Sequence, residues 1–331
     1  MTTYKEIKGT QIEVVSSDPS NPVEGQVWYN STDQAVKGET LTAAGTWAAG
    51  NAINTARRGG GGNGIQTSAI YVGGGPPDVA NVELYNGTNW TETTDINQAR
   101  RGTGVAAANN TASLAYGGEQ SPSAWYTITE LWNGSSWTEV NDMNTGRVSV
   151  GGLGTSTSAL AVGGVATPNP VTNRLNESWN GTNWTELNDM SGMKGDPGCS
   201  GENNTAALVF GGSDPVNYLA ITESWNGSNW TEVNDLNTAR IPGGLGKSST
   251  AALAFGGAVP GSPSVTAVTE EYNGSNWTET GDLNTARSYL DGGGTTSAGV
   301  AFGGYSGTAN VTNSEEWTGA GTPQTRTFTD S

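Results

Sequence analysis

The sequence predicts an all-β protein, a six-bladed β-propeller of four-stranded antiparallel blades, and three recurring marks predict it. A tryptophan in an Asn-Trp or Ser-Trp pair falls at Trp90, Trp137, Trp184, Trp230 and Trp277, in steps of 47, 47, 46 and 47 residues, and Trp47 of Gly-Thr-Trp lies 43 residues before the first. A Gly-Gly pair closes an apolar run at Gly73, Gly117, Gly163, Gly211, Gly256 and Gly303. A Glu-x-aromatic triplet recurs as Glu83/Tyr85, Glu130/Trp132, Glu177/Trp179, Glu223/Trp225, Glu270/Tyr272 and Glu315/Trp317. Three marks in one order, repeated at a period of about 40–50 residues in a β-rich composition, point to blades around an axis.

Each unit reads as four strands. The first follows a basic residue and is nearly all small, as in GGLGTS from Gly151 and GGLGKS from Gly243. Small side chains are what the innermost strands of a propeller need, because they crowd together at the axis. The second strand is SALAV, AALVF or AALAF, the third ends in TESW or TELW, and the fourth is WTEV or WTEL. Asn-Gly-Ser/Thr-Asn/Ser joins the third to the fourth, a hairpin signal because Asn-Gly accepts positive φ. A four-residue loop sets Trp179 opposite Trp184, and cross-strand aromatic pairs favour that register over a two-residue turn.

The two ends of the repeat are complementary. AAGTWAAG has no first three strands before it, and after Trp317 the chain has no Asn-Gly hairpin and no second tryptophan. Gly45–Ala49 is therefore expected to supply the outer strand of the last blade, which removes exposed sheet edges. The organisation expected is an N-terminal segment 1–44 with a short β extension, a propeller 45–319 and a C-terminal tail 320–331. GQVWYN in the first segment is a short β-prone run between Pro and Gly breakers. It is too small to fold alone and is expected to need a partner surface.

Composition narrows the function. Fifty glycines suggest low complexity, but 12 Trp and 10 Tyr are foreign to disordered chains. With 31 acidic against 14 basic residues the net charge is −17, which repels phosphate backbones and argues against nucleic-acid or anionic-membrane partners. No apolar run reaches membrane-spanning length, and the opening MTTYKEIKGTQ lacks the apolar core of a signal peptide. The single cysteine, Cys199, permits no internal disulfide. Aligned by letters it matches Leu153 and Leu245 and reads as a small buried residue. The chain has no histidine, so a reactive thiol would lack that base.

The linkers between units repeat as well. They are DINQAR, DMNTGR, DLNTAR and DLNTAR, with the degenerate copies AINTAR and DMSGMK. Their last residues, Arg57, Arg100, Arg147, Lys194, Arg240 and Arg287, form a structural repeat ring beside the ring of glutamates. One reading is a charged annulus for an anion; the other, preferred because repeated motifs mostly carry a unit's own packing, is pairing with neighbouring carboxylates or carbonyls. Other motifs fail on inspection. GGLGKSS resembles a phosphate loop but has Ile241 where glycine is required, and GGGGNG lacks a surrounding βαβ pattern. The Asn-x-Ser/Thr triplets at Asn86, Asn133, Asn180, Asn226 and Asn273 are explained by turn chemistry. No cofactor, metal or catalytic residue is expected. The loops joining second to third strands vary most between copies, and Trp125, Tyr126, Tyr218 and Tyr305 stand out there as aromatics among polar residues. They are candidates for stacking on a sugar or anchoring a protein, against a role in packing between blades.

Two resemblances add to this. With Gly-Gly closing the second strand and an aromatic pair on the third and fourth, residues 45 to about 319 resemble kelch or galactose-oxidase-like propellers. The copper chemistry of such oxidases needs histidine ligands and is not carried over. Ser16–Gly38 resembles the N-terminal module of structural and tail-fibre-like proteins of bacteriophages, especially those of marine bacteria, through Asp18, Pro19, Asn21, Pro22, Gly25, Gln26, Trp28, Tyr29 and Asn30. That resemblance implies a virion component attached to other virion proteins through this segment, with Trp28 and Tyr29 as attachment residues. The function expected is a non-enzymatic tail-fibre or appendage protein, displayed outside the cell, that recognises a host-surface glycan or protein. The alternatives are a capsid decoration or connector protein and, from another class, a glycan-active enzyme. A homo-oligomer in the particle is compatible with each.

Overall fold

The computed structural model describes residues 12–19, 26–41, 44–120, 124–166, 174–261, 264–321 and 323–328, and those residues contain strands and turns but no helix. Asn21, Pro22 and Gly25 lie outside the described residues. The chain divides into a large unit, Thr46–Thr318, and a small one made of Met1–Gly45 with Gly319–Ser331.

The large unit contains six four-stranded sheets. Their inner strands are Gly61–Ile65, Gly104–Asn109, Gly151–Thr155, Gly198–Asn203, Ile241–Leu245 and Asp291–Gly294. In the first five sheets the four strands lie side by side in chain order, antiparallel throughout. The sixth adds Ala298–Phe302 and Ser314–Thr318, then takes Thr46–Gly50 as its fourth strand with Trp47 opposite Trp317. The hairpins have the four-residue loop, since Trp179 pairs with Trp184, Trp132 with Trp137 and Trp225 with Trp230. Gly181 sits at φ 92°, and Asn180 Oδ1 accepts the amides of Thr182 and Asn183, so glycine and asparagine are both used by the turn.

The core consists of clusters between successive sheets. Ile70, Val72 and Val82 of the first sheet meet Val105, Ala115 and Trp132 of the second. Equivalent clusters join the later pairs, and Val300 and Phe302 of the sixth sheet pack on Tyr71, Tyr85 and Trp90 of the first. Each inner strand neighbours those of the sheets before and after it, Asp291–Gly294 neighbouring Gly61–Ile65. The approach is close: a Cβ at Gly152 would lie 2.4 Å from the Val105 nitrogen, and one at Gly244 2.6 Å from that of Cys199. Register also corrects the letter alignment of Cys199. Counting from the paired second strands, Ser200 lies where Leu153 and Leu245 lie, and Cys199 takes the place of Gly152 and Gly244. A one-residue slip in a strand turns a side chain to the other face.

In the small unit, Glu13–Val15 runs parallel to Val27–Asn30, which forms a hairpin with Ala35–Leu41, and Pro323–Phe328 pairs antiparallel with that last strand. Of the residues expected as a tail, Pro323–Phe328 form a strand, and Val27–Asn30 of GQVWYN finds partners within its own chain. Trp28 is fully buried and its indole donates to Asp18 Oδ1 at 2.9 Å, so it is a core residue and not an attachment surface. Asp18 also accepts from Asn30 and pairs with Lys37 at 2.7 Å.

Outer-strand tryptophans tie the sheets together. Trp184 donates to Thr129 Oγ1, Trp277 to Thr222 Oγ1, Trp47 to Thr269 Oγ1, Trp90 to Ser314 Oγ and Trp137 to the Thr94 carbonyl. Between the third and fourth sheets the hydroxyl is replaced by Asn176, and both Asn176 Oδ1 and Trp230 Nε1 are left without a partner. Asn176→Thr restores the residue used at three other junctions and is expected to stabilise the fold by about 1 kcal/mol. Thermal unfolding checks this, and an unchanged or lower midpoint contradicts it.

Candidate functional site

Each basic residue of the linkers is buried and paired with the glutamate of the sheet it leads into. Arg57 meets Glu83, Arg240 meets Glu270 and Arg287 meets Glu315, while Arg100 lies 2.5 Å from Glu130 and Arg147 2.9 Å from Glu177. Lys194 reaches Glu223 only at 3.7 Å and donates to the Ile221 carbonyl. The other carboxylate oxygen clamps the linker backbone. It accepts the amides of Asn54, Asn97, Asn144, Ser191, Asn237 and Asn284 at 2.6–2.8 Å. A buried carboxylate needs such partners. Each of these cations is buried against its glutamate, which is the pairing preferred above over an annulus for an anion, although the Nε atoms of Arg100, Arg147, Arg240 and Arg287 have no hydrogen-bond partner. Burial holds Arg147, Lys194, Arg240 and Arg287 below their usual pKa values, opposed by their glutamates.

The linkers and the variable loops lie on one side. Arg58 bridges to Gly75, Arg101 to Glu119, Gly195 to Ser213 and Ser288 to Tyr305, and Arg147–Val148 pairs with Val165–Ala166. Trp125 and Tyr126 are half-buried; the Trp125 indole donates to Glu119 Oε2 and the Tyr126 hydroxyl to Gln120 Oε1. Glu119 also pairs with Arg101 at 2.8 Å. Tyr218 and Tyr305 are half-buried on bridges to Ser213 and Ser288. The Arg58 guanidinium stacks 4.2 Å over the Tyr305 ring and lies 5.8 Å from that of Tyr289. In the small unit Tyr29 is half-buried, on the sheet face opposite to Trp28.

Where the inner strands converge there is a cavity of about 100 Å³ open to water, lined largely by glycine. Two residues before Gly61, Gly104, Gly151, Gly198, Gly243 and Asp291 of the inner strands, one residue from every unit lines it: Gly59, Gly102, Ser149, Asp196, Ile241 and Tyr289. All but Ile241 have positive φ, between 49° and 63°. The conformation lets successive linkers bond to one another: Gly59 donates to the Tyr289 carbonyl, Gly102 to Gly59 and Asp196 to Ser149. Glycine suits this position, so Ser149, Asp196 and above all Tyr289 carry strain that the backbone alone does not require. Asp291 is a second departure. It stands where the other sheets have Gly61, Gly104, Gly151, Gly198 and Gly243. Burial pushes its carboxyl up to about 8, the Gly62 amide opposing and Asp196 adding to the rise. Burial likewise raises Asp196, whose partner is Ser149, and pushes the Cys199 thiol up to about 12.

At the opposite end of these strands Lys247, the lysine of the phosphate-loop lookalike, reaches across to the first and second sheets. Its ammonium donates to Asn63 Oδ1 at 2.8 Å and to the Ala107 carbonyl at 2.9 Å, and burial brings it down to about 8. Arg58, Asp196, Tyr289 and Asp291 were not singled out in the sequence. For Asp196, Tyr289 and Asp291 the signal is departure from glycine found in other copies of the same column; no such column marks Arg58.

No protein-family model and no curated protein matches the chain. Among solved structures, that of YjhT, a kelch-like β-propeller, superposes with a TM-score of 0.67 at 13% identity, over 80% of this chain and 95% of its own. At that identity the likeness is one of fold, and it supports a propeller-like β architecture.

Arg100→Met leaves Glu130 buried without its cation and is expected to cost about 3–5 kcal/mol in denaturant unfolding; a loss below about 1 kcal/mol contradicts the clamp. Asp291 gives a pH signature. Its folded pKa lies above the unfolded value, so between about 4 and 8 the folded state binds more protons and stability falls as pH rises. Asp291→Gly is expected to flatten that decline, with a larger gain in melting temperature at pH 8.5 than at pH 5. An equal shift at both pH values contradicts it.

Proposed function

We propose that the six sheets close into a six-bladed propeller and that the chain is a non-enzymatic recognition protein, a tail-fibre or appendage component of a phage particle that binds a host-surface glycan or protein. Support for closure comes from the pairing of Trp47 with Trp317 and from the packing of the sixth sheet on the first. The observation that carries the functional reading is a division within the repeat. The clamp, the Asn-Gly turns and the tryptophan pairs are copied from unit to unit, whereas the loops bridged to the linkers differ in every copy and gather Trp125, Tyr126, Tyr218 and Tyr305. A rigid scaffold with one divergent face is how loops are made into a binding surface.

The repeated carboxylates are committed to the clamp, which disfavours the glycan-active enzyme. The virion assignment rests on the resemblance of Ser16–Gly38. The small unit suits attachment, since Val14, Val27 and Phe328 are exposed on the same face as Tyr29. A decoration or connector role would use that unit alone.

Purified chain incubated with envelope polysaccharide from marine bacteria is expected to retain it without generating reducing ends. Retention by none of a broad panel contradicts recognition of glycans, and new reducing ends contradict a non-enzymatic role.

A further inference from the structure

The loop face has one feature that a scaffold does not require. Beside the divergent loops, the start of the inner strands is the other place where the units depart from one another, and the sixth is the one with an aspartate where the rest have glycine. Tyr289 occupies a left-handed position that Gly59 and Gly102 fill without strain, yet the residue is 37% exposed and lines the cavity. Two residues on, Asp291 replaces a glycine kept in five sheets, and Asp196 faces the same cavity. Strain and burial of this kind persist where something else depends on them.

We propose that the mouth of this cavity is a binding site for one neutral, hydroxyl-rich sugar ring, with Tyr289 as the stacking platform and Asp196, Asp291 and Ser149 as hydrogen-bond partners for its hydroxyls. This rests on the recognition reading above and places it on named residues. The chemistry follows from the surroundings. An exposed tyrosine ring gives an apolar face on which the C–H face of a sugar stacks. Carboxyl and hydroxyl groups beside it satisfy a dense set of hydroxyls. Two acidic groups and a net charge of −17 disfavour an anionic sugar. A cationic ligand is disfavoured because Arg58 already occupies the slot between Tyr305 and Tyr289. A cavity of about 100 Å³ admits a few waters but no ring, so the sugar sits at the mouth and its hydroxyls replace or bridge to water within. Near neutral pH the protonated share of Asp291 can donate as well as accept.

The test uses the full chain and saturation-transfer NMR with methyl glycosides of glucose, galactose, mannose, rhamnose and N-acetylglucosamine, and with methyl glucuronate as the anionic probe. At least one neutral glycoside is expected to receive transfer and glucuronate none. Tyr289→Gly, which substitutes the residue of two other units and relieves the strained φ, is expected to keep or raise the melting temperature while weakening the signal about tenfold. Asp291→Asn, a second variant that preserves shape, is expected to weaken it as well. Absence of transfer to every neutral glycoside, preference for glucuronate, or signal unchanged in both variants overturns the proposal. Polysaccharide retained by the wild type and equally by both variants would sink this site and leave the wider recognition reading standing.

Discussion

A buried carboxylate decides how this chain is built. In each sheet the third strand carries a glutamate that is buried with the core, and such a group is tolerated only when both oxygens have donors. Each is met by a linker amide and by a buried cation, and five of the linkers add an asparagine side chain. The linker is thereby fixed where it turns toward the inner strand of the next sheet. Packing of glycine against backbone follows from that placement.

The cation is not interchangeable. Arginine reaches its glutamate and nearby carbonyls together, as Arg147 does with Glu177, Gly163 and Leu175. Lys194 divides one ammonium between Ile221 and a more distant Glu223. Its linker is also the one in which asparagine has become Ser191, whose hydroxyl takes over the second bond to Glu223. The deviation at one end of the motif is met by a compensating donor at the other. The framework is thus uniform in what it satisfies even where its letters vary, and that uniformity makes the uneven residues around the cavity stand out.

The period, the hairpin register and the strand supplied by Thr46–Gly50 were legible because each follows from spacing and from a chemical preference of neighbouring residues. The pairing of the basic residues was legible as a preference, since six copies of one motif argue for packing. The place of Cys199 was not, because matching it to Leu153 and Leu245 by letter ignored where the strand bonds begin. Trp28 was assigned to attachment by resemblance alone, and nothing in its own strand shows that Asp18, ten residues earlier, accepts its indole hydrogen bond. The strand Pro323–Phe328 was hidden because its partners lie near the other end of the chain. Asp196 lies far in sequence from Tyr289 and Asp291, and only the convergence of the inner strands brings it beside them.

Hydrogen exchange at the linker amides tests the central claim most directly. Asn97, Asn144 and Asn237 lie outside any strand, so a simple turn would exchange them rapidly. Held by a buried carboxylate, they are expected to exchange as slowly as the strand amides of Leu114 or Leu160, by the same opening that exposes the core. Rapid exchange at these positions, with the strands still protected, would show that the carboxylates do not hold the linkers and that the sheets are positioned by something else.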